Sequence, residues 1–212
     1  MRREVILTFF LILIVALLAV TAIKPYDRST WLMEVTPVLI AGPVLVLTYR
    51  RFPLTSLLYM LIGLHAIVLI IGGEYTYARV PLGFWLEDVF SLSRNPYDRV
   101  GHFLQGFVPA LAAREIFIRG GYVTSRRMAA FLAICVAMAI SAWYELIEWA
   151  AALTLGARAD DFLGTQGDPW DTQWDIFMCF VGSVAALVSL SREQDRQIEN
   201  SAGNPTNCNK GS

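Results

Sequence analysis

The chain has 212 residues, 56% of them hydrophobic, with a formal net charge of −1 and a mean hydropathy of +0.50. Soluble globular domains are about 45–50% apolar, so this composition argues against a soluble globule, and the near-neutral charge gives no basic surface for nucleic acid. The three cysteines, Cys135, Cys179 and Cys208, are far apart and lack any CxxC or His pairing. They exclude a disulfide framework or a zinc site and read as two buried thiols and one in the tail.

The first apolar run, 5–23, is nineteen residues long without a charge. At 1.5 Å per helical residue it is long enough for a hydrocarbon core of roughly 30 Å. Arg2 and Arg3 before it resemble the start of a signal peptide. The run is longer than the usual core of about 7–15 residues and more spans follow, so it is expected to remain as an uncleaved first helix. The second span, 32–49, contains Pro37 and Pro43 and stops at Arg50-Arg51 and Pro53. Proline is tolerated in membrane helices, where neighbours re-satisfy the freed backbone groups. The third, 54–73, is again uncharged and closes on Gly72-Gly73.

The connection that follows contains an amphipathic stretch, 80–90, too short to span. With Trp85 it suits an interfacial segment. The fourth span, 100–118, carries Arg114 and Glu115 near one end, where they are expected to snorkel or to pair with a neighbour. The fifth is 128–155 and the sixth 174–190. The loop between them is rich in Gly, Asp and Trp. Its Gly164, Gly167 and Pro169 favour tight turns that would fold the acidic segment over the bundle as a lid. The polar stretch 192–212 is expected to be a disordered cytoplasmic tail. The expected architecture is all-α: a polytopic transmembrane helix bundle in one membrane domain, 1–191, with six spanning helices and one short interfacial segment.

Orientation follows from the basic residues. The N-terminus, the loops at Arg50-Arg51 and Arg119–Arg127 and the tail hold ten Lys and Arg, and the other loops hold six. The positive-inside rule then places both termini in the cytoplasm.

The polar residues in and beside the spans gather at one face. Asp98 and His102 open the fourth span, Glu145 and Glu148 lie late in the fifth, Asp168, Asp171 and Asp175 lead into the sixth, and Glu74 ends the third. Chain direction alternates at each crossing, so all fall at the same side, the outer one in this orientation. Asp98, His102 and Gln105 follow at i, i+4 and i+7, and Glu145 and Glu148 at i and i+3, each on one helical stripe. A charge inside a span is expensive and normally faces the bundle interior and a partner. One imidazole among several carboxylates suits a hard or borderline divalent cation. The expected metal ligands are His102, Glu145, Glu148, Asp171 and Asp175, supported by Asp98, Gln105 and Asp168, with His102, Glu145 and Glu148 as acid–base groups.

Plainer readings stand beside these. Asp98, Asp160, Asp161 and Asp168 suit a solvated loop or a pairing with Arg94, Arg99 or Arg158 equally well. His65, with no carboxylate nearby in sequence, reads as a helix-packing hydrogen-bonding group. Glu145 and Glu148 resist such an account, because an apolar stretch precedes them and Trp149–Leu153 follows. No nucleotide-binding glycine loop, GxSxG or HExxH is present.

Several strings carry a resemblance: 72–78 (GGEYTYA), 97–103 (YDRVGHF), 105–107 (QGF), 144–149 (YELIEW) and 164–168 (GTQGD). Together, over roughly residues 5–190, they resemble the YjdF family of bacterial inner-membrane proteins. The resemblance implies a multi-pass inner-membrane protein and supplies no catalytic residues, the family having no assigned activity. A looser likeness is to VanZ-like proteins, which place an Asp-xxx-His-Phe start on one helix, a Glu on the next and an Asp on the last. Asp98, His102, Glu145 or Glu148, Asp175 and Gly182 match that pattern, and the usual Asn is replaced near Cys179.

The functional expectation is an inner-membrane protein with an acidic, His-containing pocket in the outer leaflet. That pocket would hold a divalent metal cation and bind or act on a lipid-linked or envelope molecule. A proton- or cation-coupled transporter is the runner-up, and a non-catalytic membrane assembly partner is a third reading.

Overall fold

The computed structural model describes residues 3–155 and 166–202. Two side chains mark helix starts. Asp27 accepts a hydrogen bond from the Thr30 amide at 2.8 Å, and Thr55 accepts one from the Leu58 amide at 3.4 Å. These are N-caps that satisfy first-turn donors. The amide bond to Asp27 also holds its carboxyl below the ordinary carboxylate range. The helices among the described residues are α1 (Arg3–Thr21), α2 (Arg28–Thr48), α3 (Ser56–Tyr75), α4 (Pro81–Phe90), α5 (Tyr97–Arg119), α6 (Arg126–Leu155) and α7 (Asp171–Ala202). No strand occurs among those residues, so the chain is an all-α, polytopic membrane bundle.

Helices α1, α2, α3, α6 and α7 are long and apolar enough to cross a membrane. Helix α5 is as long but carries Asp98, Arg99, Arg114, Glu115 and Arg119. It is the central helix: α7 covers it most, then α6 and α3, while α1 and α2 pack on α3. Enclosure by three apolar helices is what allows so polar a segment within the bundle. The closest packing is between α5 and α7. A Cβ on Gly106 would overlap the Cys179 carbonyl, and one on Gly182 would overlap the Phe103 carbonyl. Missing side chains let the two backbones touch, which is how membrane helices gain contact without a hydrophobic drive. Around this seam lie two apolar layers, Leu54, Leu58, Val108, Leu111 and Ala186, and Ala110, Ala113, Ala133, Ala137 and Cys179.

Two expectations need correction. The segment from Arg192, expected to be disordered, is helical to Ala202. It is held by the bundle: the Gln194 amide donates to the Leu111 carbonyl at 2.8 Å, Arg114 donates to Gln194 Oε1 at 2.8 Å, and Arg114 pairs with Asp195 at 2.8 Å. Arg126 adds ion pairs to Asp195 and Glu199, and Ile198 is buried. Arg114 therefore does not snorkel; it pairs inside. The second correction is Cys135, expected to be buried and in fact exposed. Helix α6 packs through Ala129, Ala133, Ala137 and Ser141, a spacing of four that turns Cys135 to the opposite face.

Helix α4 matches the short amphipathic segment. Leu82, Phe84, Trp85, Val89 and Phe90 are exposed, while Gly83 sits directly on Asn95. Asn95 locks this corner, donating to the Val80 carbonyl at 3.0 Å and accepting from the Tyr97 amide at 3.1 Å.

Candidate functional site

The first turns of α5 place Asp98 and His102 one above the other, both buried, as i,i+4 residues on a helix must be. Helix α7 brings Asp175 and α6 brings Glu145 to the same ring, both buried too. His102 Nε2 lies 3.6 Å from Asp98 Oδ1 and 3.9 Å from Asp175 Oδ2. His102 Nδ1 lies 3.8 Å from Glu145 Oε1. One ligand atom from each of Asp98, His102 and Asp175 falls within 4.8 Å of the others, a spacing that can surround a metal ion. None of the three His102 contacts is a hydrogen bond, and His102 Nδ1, Glu145 Oε1 and Asp175 Oδ1 have no hydrogen-bond partner among the described residues. A buried polar atom left so costs about 1–3 kcal/mol, so these atoms call for a partner.

At the mouth, arginine takes over. Arg94 pairs with Asp171 and lies 3.7 Å from Asp98 and 3.6 Å from Asp168. Arg99 pairs with Asp168 at 3.1 Å and stacks over Trp174 at 5.2 Å. Gln166 uses both ends of its amide on one residue, accepting from the Asn95 amide at 3.0 Å and donating to the Asn95 carbonyl at 3.1 Å. These bonds seat 166–171 against the start of α5. Asp171, expected among the metal ligands, and Asp168, expected in support of them or paired with arginine, both meet arginine here. The bulk of the loop, including Asp160, Asp161 and Gly164, lies outside the described residues.

Glu148 is half-buried and in electrostatic reach of Glu34, Glu145, Asp98 and Asp175. Gln105 Oε1 and Ser141 Oγ, one turn inward, are buried without a partner among the described residues. His65 Nε2 is in the same condition, and it lies in electrostatic reach of His102, a proximity its sequence position does not suggest. The Glu74 backbone carbonyl accepts from the Tyr26 amide at 2.9 Å, which ties the end of α3 to the segment before α2.

Sequence reasoning missed Glu34. It comes from α2, is buried, and accepts a hydrogen bond from the Tyr144 hydroxyl at 2.8 Å. Its electrostatic neighbours include Asp98 and His102. The available signal was the one that singled out Glu145: a lone carboxylate in an apolar run, here Trp31–Leu47. Tyr77 completes this side. Thr76 and Tyr77 have φ of 55° and 48°, left-handed values that non-glycine residues adopt sparingly. The turn folds the Tyr77 ring onto Gly72 and Gly101, where a Cβ would collide with it. Gly72 and Gly101, one from each of the 72–78 and 97–103 strings, thus make room for one aromatic ring beside the site.

At the opposite end of α5, Glu115 is fully buried and accepts from the Thr55 amide at 2.8 Å and the Thr55 hydroxyl at 2.7 Å, and pairs with Arg119 at 2.8 Å. Both Glu115 oxygens at that end have donors, whereas His102 Nδ1 and Glu145 Oε1 at the other end have none among the described residues.

A family model described as "Predicted membrane protein (DUF2238)" matches residues 6–196. The chain is 56% identical over 196 residues, 92% of its own length and 94% of the relative's, to "Inner membrane protein YjdF" of Escherichia coli (strain K12). No solved structure matches it. The unbroken match from the first helix to the last places the chain in the DUF2238 family of integral membrane proteins.

Proposed function

We propose that the protein is an inner-membrane protein that holds one divalent cation at the outer end of its bundle and uses it to bind or transform an anionic lipid-linked or envelope molecule. The observation that carries this reading is the buried set Asp98, His102 and Asp175, with ligand atoms within 4.8 Å of one another and orphaned polar atoms on His102, Asp175 and Glu145. Like charges 4 Å apart repel by about 4 kcal/mol at an effective dielectric near 20. Arg94 offsets this at the mouth, pairing with Asp171 and approaching Asp98. Among the described residues Asp175 has no Lys or Arg within 4.0 Å; its nearest basic group there is the His102 imidazole at 3.9 Å, and Arg94 acts on it only from farther away. A cation supplies the missing charge, and carboxylate with imidazole suits a borderline ion such as Mn²⁺ or Zn²⁺. When bound, such an ion acts as an electrophile toward phosphoryl or carbonyl oxygen. Glu148 and Glu34 lie in electrostatic reach of Asp98 and are the carboxyls this reading assigns to proton transfer there.

The packing favours this over transport. From Phe103 inward, α5 and α7 meet backbone to backbone, Gly182 against Phe103 and Gly106 against Cys179, above Ala110, Ala137 and Leu111, all with no exposed surface. A transport path would need polar groups to continue there. The basic-residue bias supports an outward-facing site with both termini cytoplasmic.

Thermal unfolding in lipid nanodiscs with Mn²⁺, Zn²⁺ or chelator tests the reading. Ligand at 100 times its Kd adds about 2.7 kcal/mol, so one of these cations should raise the wild-type Tm by several degrees and chelator should reverse it. Asp175→Asn should abolish the response. A wild-type Tm indifferent to both would contradict the proposal.

A further inference from the structure

We infer that Glu145 is not a cation ligand but a positioning residue, which accepts the Nδ1 proton of His102 and so fixes the imidazole whose Nε2 faces the cation. The inference rests on the metal reading above and assigns within it a role that the residue types alone do not reveal.

The two ring nitrogens of His102 diverge, and the site is divided accordingly. Nε2 faces Asp98 and Asp175, at 3.6 and 3.9 Å. Nδ1 faces Glu145, at 3.8 Å from Oε1, the one carboxylate oxygen within 4.0 Å of it among the described residues. A neutral imidazole has one acceptor nitrogen and one donor N–H. A cation among Asp98, Asp175 and His102 takes the lone pair of Nε2, which leaves the proton on Nδ1. That proton is buried and needs an acceptor, yet Nδ1 has no hydrogen-bond partner among the described residues. Glu145 Oε1 is in the complementary state, a buried acceptor without a donor. The two atoms face each other and need to close by about 1 Å to reach ordinary hydrogen-bond length. Glu145 is also absent from the group whose ligand atoms share one 4.8 Å neighbourhood. A carboxylate behind a metal-bound histidine fixes the ring's tautomer and orientation and raises its basicity. Both orphaned atoms are satisfied by this one bond, whereas Glu145 as a ligand would leave Nδ1 without a partner.

The consequence is a centre with three protein ligands, two carboxylates and one imidazole, and with coordination positions left for a bound molecule. Co²⁺ distinguishes the roles, because its visible spectrum reports ligand number and geometry. Wild type, Glu145→Gln, Glu145→Leu and Asp175→Asn are titrated with Co²⁺ in nanodiscs, with circular dichroism confirming helix content. Glu145→Leu should bind roughly 10- to 100-fold more weakly than wild type with unchanged band positions. Glu145→Gln, whose amide oxygen still accepts from Nδ1, should recover part of that loss. Asp175→Asn should move the bands or remove them. A Glu145→Gln spectrum displaced as Asp175→Asn displaces it would overturn the inference and make Glu145 a ligand, with the metal reading intact. Equal affinity of Glu145→Leu and wild type would also overturn it. A wild type that binds no Co²⁺ would remove the metal reading itself.

Discussion

At the start of α2 the Asp27 carboxylate accepts from the Thr30 amide at 2.8 Å, the Thr30 hydroxyl at 2.9 Å and the Ser29 hydroxyl at 2.8 Å. The amide bond leads the lowering of its pKa. A carboxyl depressed in the folded state contributes stability above its unfolded value, and loses it as pH falls through the folded one. Asp27→Ala should therefore lower stability by about 1 kcal/mol at pH 7. The difference from wild type should begin to shrink below about pH 4, where the unfolded carboxyl protonates, and go on shrinking as pH falls through the lower folded value. Thermal scans at pH 7 and at pH 3 check both halves; a difference equal at the two would contradict the cap's dependence on charge. Residues differ in how legible they are. Glu145 stood out because a long apolar stretch led up to it. Glu34 lay close to the second span's polar entry, Asp27-Arg28-Ser29-Thr30, and its meeting with Tyr144, 110 residues away, has no local sequence signal.

Between elements, the seam of α5 and α7 concentrates two testable requirements. Because a Cβ at Gly106 or Gly182 would meet backbone rather than a movable side chain, Gly106→Ala and Gly182→Ala should each destabilise by about 1–3 kcal/mol. Gly42→Ala, with nothing within 4 Å of its Cβ, should be neutral or slightly stabilising in its helix. Unfolding in a denaturing detergent series orders the three, and equal losses would contradict the backbone contact. The second requirement lies at α7's far end. Ending the chain at Arg192 would leave buried Arg114 without Gln194 and Asp195, and stripping a buried charge of its partners costs about 3–5 kcal/mol. The shortened protein should show a large fall in Tm; an unchanged Tm would mean that the polar extension is not part of the bundle. Composition pointed the other way here, since Arg192–Ala202 is polar enough to read as disordered. Its helix forms because Gln194, Asp195 and Ile198 recur on the one face that meets α5 and α6, a tertiary cause that local composition does not carry.

For the whole molecule, alternating chain direction was enough to bring Asp98, His102, Glu145 and Asp175 to one end, because helical spacing and span order determine which ends coincide. The same logic could not say which of those groups face arginine, since Arg94 and Gln166 act through loop geometry. In the proposed orientation, with both termini cytoplasmic, cysteine introduced at Gly167 should react with an impermeant thiol reagent from outside intact cells, and cysteine at Gly121 only after permeabilisation, both in a background without native cysteines. The reverse pattern would place the site in the inner leaflet. The central claim, that the His102 end holds a cation, is met most directly by metal stoichiometry. Purified protein in nanodiscs, equilibrated with Mn²⁺ or Zn²⁺ and dialysed, would be analysed by inductively coupled plasma mass spectrometry beside Asp175→Asn and His102→Ala. The account predicts one ion per wild-type chain and a small residual fraction in both variants. A wild type with no retained ion, or variants that retain as much as wild type, would contradict it.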